Sequence, residues 1–173
     1  MSLPSGVNPA SPTFAWPTLA LDTALLQNLH SRAIAEGNQY GFGSKVDITS
    51  DSSEVRGELV DCSGYVRWLL YRATSNKFDI KDGSWIQHDY VKDLGFKVSS
   101  IESANLKDGA LRIAFLAPGA LGSGAAGHVA LVLNDRTMES HSGTGPDGRE
   151  WDTSRRWMSL CRVYVLTPPR VGV

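Results

Sequence analysis

Cysteine is scarce in this chain. It has two, Cys62 and Cys161, in 173 residues, too few for a disulfide-stapled scaffold. Charge of one sign is missing too. Lysine and arginine number 17 against 18 aspartate and glutamate, giving a formal net charge of −1. With no long run of like charge, this excludes nucleic-acid binding and adhesion to anionic membranes as the main role. No apolar run approaches the ~20 residues needed to cross a bilayer. The opening MSLPSGVNPASPTFAWP has neither the basic start nor the apolar core of a secretion signal, so none is expected there. There is no internal repeat, and no compact metal-ligand pair such as CxxC or HExxH.

What is present is an ordinary globular composition, 42% apolar and 20% charged. Residues 1–17 are rich in Pro, Ser and Asn and read as an extended lead or linker. Residues 18–173 read as one domain. A helix is expected from Asp22 to Glu36, with Leu25, Leu26, Leu29 and Ala33 as its apolar stripe and Gly37 as its stop. The polar, Gly/Ser-rich residues 37–58 form a long loop, a feature that is usually functional in a small domain. Ser84-Trp-Ile-Gln87 has a capping-box pattern. It predicts a helix with Ile86, Tyr90, Val91 and Leu94 buried and Gly95 at its end. From there the period changes to two. Leu111, Ile113 and Phe115, then Val129, Leu131 and Leu133, then Cys161, Val163 and Val165 alternate with other residues as strands do. Helices first and strands after imply an α+β domain with a mostly antiparallel sheet.

The strongest helical pattern lies in VDCSGYVRWLLYRAT, residues 60–74. Cys62, Tyr65, Val66, Leu69, Leu70 and Ala73 share one face. Asp61 is a good N-cap, which places Cys62 in the first turn. There the unpaired backbone N–H groups and the helix dipole favour negative charge, the setting in which thiols become nucleophilic. Ser63 and Gly64 are poor helix formers that keep bulk away from the sulfur. Cys161 alternates with strand valines and reads as core filling, so no Cys62–Cys161 bridge is expected.

A thiolate nucleophile needs a base, usually histidine, and the base needs an orienting partner. His30 and His88 fall within helices and read as packing or surface residues. His128 and His141 flank Asn134-Asp135, a plausible two-residue turn. In that register Leu133 faces Arg136, Val132 faces Thr137 and His128 faces His141; a one-residue bulge would bring Ser140 to His128 instead.

Asp61-Cys62-Ser63-Gly64 followed by Tyr65-Val66, with Gly127-His128-Val129 downstream, resembles the NlpC family of cell-wall cysteine peptidases over roughly residues 20–166. The resemblance implies a papain-like α+β fold, in which the nucleophile helix packs on an antiparallel sheet. It implies hydrolysis of an amide in peptidoglycan stem peptides, often the γ-D-glutamyl–diamino-acid bond, at the bacterial cell wall. On this reading Cys62 is the nucleophile and His128 the general base. His141 is the third polar residue, with Ser140 and Glu139 as alternatives. Asp61 and Ser63 match positions that bind the substrate's amino end, and Tyr40 matches one that lines the site. No cofactor or metal is expected, and the chain is expected to act as a monomer. The family's Trp-Gly-Gly element is reduced here to Phe42-Gly43-Ser44, the insert between Gly43 and Asp61 is long, and Lys107-Asp-Gly-Ala-Leu stands where Pro-Gly-Asp-Leu is usual.

Three other readings compete. Cys62, His128, His141 and Glu139 could be zinc ligands. The five tryptophans, at 16, 68, 85, 151 and 157, could serve a non-catalytic wall-binding module. The same cysteine chemistry also fits an amidase cutting between muramic acid and alanine, or an acyltransferase. The run Ser142–Gly148 is either a plain turn or a rim of the cleft.

Overall fold

The computed structural model describes residues 17–50, 59–121 and 126–169. The expected lead, apart from Pro17, lies outside these residues, as do parts of the 37–58 loop and of the stretch before His128. Three helices come first: α1 (Thr23–Ala35), α2 (Cys62–Ala73) and α3 (Ser84–Asp93). Six strands follow: β1 (Lys97–Ser99), β2 (Leu111–Leu116), β3 (His128–Leu133), β4 (Arg136–His141), β5 (Gly145–Asp147) and β6 (Arg162–Val165), with a short helix α4 (Arg156–Ser159) before the last. Among the described residues these six strands pair antiparallel, in the order β1-β6-β2-β3-β4-β5. The α+β class and the antiparallel sheet expected from the sequence are therefore what the structure shows.

Helix α2 holds the architecture together. It packs on β3, β4 and α1, and burial extends beyond the predicted face to Ser63, Gly64 and Trp68. The loop before it is tied on by backbone bonds: Val60 N–H donates to Gln39 O at 2.9 Å and Asp61 N–H to Ser44 O at 3.0 Å. Trp68 Nε1 adds a bond to Ser50 O at 3.1 Å. The start of α2 is thus fixed from both sides.

Helix α3 begins where predicted but for a different reason. Its N-cap is Gly83, in a positive-φ conformation, and Ser84 makes no cap bond. Gln87 does not reach back along its own helix. Its Nε2 donates to Ser63 O and Lys81 O, each at 2.8 Å, locking α3 against the first turn of α2. The helix is therefore rotated from the predicted stripe. Ser84, Gln87, His88 and Val91 are buried, while Ile86 is 61% exposed and Leu94 43%.

The sheet carries apolar layers on both faces, which single-face alternation could not reveal. Val129, Leu131, Leu133 and Met138 pack with the helices. Ala114, Val132 and Val163 face a second cluster built by Ala104, Trp151, Met158 and Cys161. Strand β2 is consequently buried at every position. Asn134 and Asp135 both have positive φ, as a two-residue I′ hairpin requires, and they set Leu133 opposite Arg136 and Val132 opposite Thr137.

Leu69→Ala, at a fully buried α2 position, is expected to cost about 2–5 kcal/mol in urea unfolding. Ile86→Ala should stay within about 0.5 kcal/mol. Equal losses would contradict the observed orientation of α3.

Candidate active site

The first turn of α2 explains the sequence Asp-Cys-Ser-Gly residue by residue. Asp61 caps the helix, its Oδ1 accepting from Gly64 N–H at 2.7 Å and from Ser63 Oγ at 3.0 Å. Cys62 is the first helical residue, free of any disulfide and 7% exposed. Its N–H belongs to the set with no intrahelical acceptor. Gly64 has a steric cause. A Cβ there would stand 3.0 Å from Lys45 Cδ and 3.2 Å from Asp61 Oδ1, so glycine leaves room for the Lys45 stem and the capping carboxylate. Lys45 Nζ then reaches Asp61 Oδ2 at 2.5 Å and Ser63 Oγ at 2.8 Å.

His128 opens β3, so its ring sits at a strand end where the two layers meet. Gly127 before it must be glycine, because its φ is +49° and a Cβ would lie 2.7 Å from Leu116 O. On one side of the His128 ring stands Cys62, which helps to raise its pKa; on the other, Nε2 meets Glu139 Oε2 at 2.7 Å. With Nε2 engaged by the carboxylate, Nδ1 is the nitrogen left to face the sulfur. The ring is also held edge-on against Trp157, with centroids 5.4 Å apart.

Glu139 is fully buried and all its acceptor capacity is used. It takes His128 Nε2, the hydroxyl of Thr137 at 2.6 Å, and Arg149 through Nε at 3.0 Å and Nη2 at 2.6 Å. Arg149 in turn lies over the Trp157 ring, 5.0 Å from its centroid. Burial works to raise the Glu139 pKa, but the bonds from His128 and Arg149 outweigh it and hold the carboxyl at about 2. Burial likewise works to lower His128. Its hydrogen bonds to Cys62 and Glu139, with the charges behind them, prevail and set the imidazole at about 9. The arrangement favours a protonated His128 beside an ionised Glu139.

The structure brings Cys62, His128 and Glu139 together, and it places His141 elsewhere. The expected β3–β4 register holds from Leu133 to Leu131. Beyond Met138, β4 pairs with β5, and His141 comes opposite Gly145. The His141 ring meets Asp147 Oδ2 at 3.2 Å instead of His128. Ser140 is buried and donates to Val60 O at 2.7 Å. The position next to His128 expected for His141 is therefore filled by Glu139, one of the two alternatives. The signal for it was available: Glu139 is two residues from His141, on the same strand face, and diagonal cross-strand neighbours are within reach of long side chains.

Tyr40 lies near the thiol. Burial and then the negative charges of Cys62 and Asp61 raise its pKa. Asp61 and Ser63 do flank the sulfur, but they do not offer the open anionic position that the resemblance implied, because Lys45 already bonds both. Lys45, Arg149 and Trp157 were not anticipated. Ser142–Gly148 forms a turn and strand β5. Gly145 approaches so closely that a Cβ would be 2.4 Å from Asn38 O, and a cavity forms there between Asn38, Gln39, Tyr40, Thr144 and Pro146.

The remaining candidates are packing residues. His30 Nδ1 pairs with the Tyr65 hydroxyl at 2.8 Å, and burial pushes its pKa down to about 4. His88 is stacked on Trp85 and bonds Tyr164. Cys161 is buried, bonded to Trp157 O, and its thiol is pushed up to about 12 by burial and by the charge of Glu139. Among the described residues, no group of three or more metal-ligating side chains is gathered, and no helix is long and apolar enough to cross a membrane. Trp68 and Trp151 are core residues rather than open stacking platforms; Trp16 lies outside the described residues.

No protein-family model matches the chain, and no curated protein sequence does. Among solved structures, a Staphylococcus aureus protein described as similar to a lipoprotein of the NLP/P60 family aligns with a TM-score of 0.49 at 21% identity. The alignment covers 94% of this chain and 45% of that one, so the chain spans less than half of that protein's length.

A raised His128 pKa stabilises the fold fully below its ordinary value of about 6.5, and that contribution fades as pH rises through about 9. The depressed Glu139 pKa works the other way. It stabilises fully above 4.5 and is lost as pH falls through about 2. Urea unfolding should therefore show wild-type stability declining between about pH 6 and about pH 10, with a smaller decline in Glu139→Gln. Identical alkaline slopes in the two proteins would contradict the coupling.

Proposed function

We propose that the protein is a cysteine hydrolase of amide bonds, with Cys62 as nucleophile, His128 as general acid and base, and Glu139 as the residue that orients His128. The observation that carries this reading is the chain of contacts from a helix-start cysteine through His128 to a buried, fully bonded carboxylate. Structural cysteines and histidines have no use for such a set, whereas nucleophilic catalysis needs a nucleophile, a base and an orienter.

The chemistry follows from the placement. With the proton already on His128, the Cys62 sulfur attacks the substrate carbonyl carbon. The oxyanion that develops is met by the Cys62 N–H at the helix start. As the C–N bond breaks, His128 gives its proton to the leaving amine and a thioester remains on Cys62. Water, deprotonated by His128, then releases the carboxylic acid and restores the thiol. Glu139 keeps Nε2 engaged throughout, so Nδ1 stays directed at the sulfur and the imidazolium is stabilised.

For the substrate we propose a peptidoglycan stem peptide, cut at the γ-D-glutamyl–diamino-acid bond, with the enzyme acting at the bacterial cell wall. The support is the match of Asp61-Cys62-Ser63-Gly64 and Gly127-His128-Val129 to the cell-wall peptidase pattern, together with Tyr40 beside the thiol. An acyltransferase reading would use the same residues with an amine in place of water.

Purified protein incubated with peptidoglycan should release stem-peptide fragments that mass spectrometry assigns to this bond. Cys62→Ala should abolish release without unfolding, and Glu139→Gln should lower kcat roughly 10²–10⁴-fold. His141→Ala should stay close to wild type. Iodoacetamide at neutral pH should label Cys62 far faster than Cys161. Equal labelling of the two cysteines, or full activity in Glu139→Gln, would overturn the assignment.

A further inference from the structure

Resting on the thiol-hydrolase reading, we propose that Lys45 is a specificity-determining residue: it presents an ammonium beside Cys62, so the site admits acyl groups bearing a carboxylate or a blocked amine and rejects those bearing a free ammonium.

Three observations carry this. First, the carboxylate next to the nucleophile is already satisfied. Asp61 Oδ1 holds Gly64 N–H and Ser63 Oγ, and Oδ2 holds Lys45 Nζ at 2.5 Å. A substrate ammonium would have to displace a charged partner that is tethered to the chain. Second, the lysine is built in. The helix turn carries glycine at 64, where a side chain would crowd the Lys45 stem at 3.0 Å and the Asp61 carboxylate at 3.2 Å. Ser44 O takes the Asp61 N–H at 3.0 Å and anchors the loop one residue before the lysine. Third, Lys45 faces outward. Its side chain is 32% exposed, against 9% for Asp61. Two of its three N–H donors go to Asp61 and Ser63, which leaves the third for an incoming acceptor. Of the Lys45–Asp61 pair, the ammonium is therefore the member turned toward solvent and toward an incoming ligand. The imidazolium of His128 on the other side has the same sign, while the negative charge of Glu139 is buried beneath Arg149.

The test measures charge selectivity at Cys62 without requiring turnover. Methanethiosulfonate reagents of equal length, one ending in a sulfonate and one in a trimethylammonium, are reacted with the full chain, and Cys62 modification is followed by peptide mass. The sulfonate should react at least tenfold faster. Lys45→Met should reduce that preference at least fivefold, because Asp61 is then uncovered. Lys45→Arg, which retains the charge, should restore it, and thermal unfolding checks that each variant is folded. A ratio unchanged in Lys45→Met would overturn the role of Lys45 and leave the nucleophile assignment standing. Failure of Cys62 to react with either reagent, or with a neutral one, would overturn both. With stem peptides as substrate, the acetylated N-terminus should be cleaved faster than the free amine by the wild type, and this order should weaken or reverse in Lys45→Met.

Discussion

The hydrogen bond between His128 and Glu139 is the interaction on which the rest of this site depends. A carboxylate with no solvent contact is costly unless every acceptor position is filled. Here Arg149, Thr137 and His128 fill them. Each of these partners is itself constrained. Thr137 sits opposite Val132 in the hairpin. Arg149 lies on Trp157, and Trp157 packs against the His128 ring. Removing the carboxylate would leave the half-buried Arg149 guanidinium and the His128 imidazole without their common anion. The second apolar layer of the sheet can thus be understood as the wall that dries and fixes Glu139. Helix α2 approaches from the first layer and delivers Cys62 to the free side of the same ring.

The two halves of the site are fixed by different physics. The histidine half is held by charge in a dry setting, and its geometry is sensitive to pH. The cysteine half is held by helix capping and by backbone bonds from the preceding loop. Gln87 adds a clamp on the first turn from α3. The outcome is a sulfur whose position is set by secondary structure and a base whose orientation is set by a salt bridge. Lys45 completes the cysteine half. It neutralises the capping carboxylate and leaves a positively charged edge toward solvent.

Much of this was legible in the sequence because it is local. The α2 stripe, the Asp61 cap, the Asn134-Asp135 turn and the strand character of residues 111–116 and 128–133 follow from periodicity and turn chemistry. What was not legible depends on long-range contacts. The rotation of α3 follows from the bonds of Gln87 to Ser63 and Lys81, which no capping pattern discloses. The β3–β4 register follows from the turn through its three pairs and stops at Met138, while residues 139–141 pair with β5 on the other edge of β4. Gly145 in β5 also passes close over Asn38, a contact between distant parts of the chain that no local pattern discloses. Lys45 sits in a polar loop where nothing local marks it; only Gly64, a helix-weakening residue kept in the first turn, hinted that something must pass there. Arg149 and Trp157 come from a segment without periodicity, so their convergence on Glu139 had no sequence signature.

The central claim is that His128 is held as an imidazolium between the Cys62 sulfur and the Glu139 carboxylate. Titration of the ring by NMR, with nitrogen-15 in the histidines and His128 assigned by substitution, tests it most directly. The account predicts a midpoint near 9 for His128, moving down in both Cys62→Ala and Glu139→Gln, with the Nε2 proton retained on the Glu139 side below that midpoint. A His128 midpoint at or below the ordinary value of about 6.5, unmoved by either substitution, would contradict it.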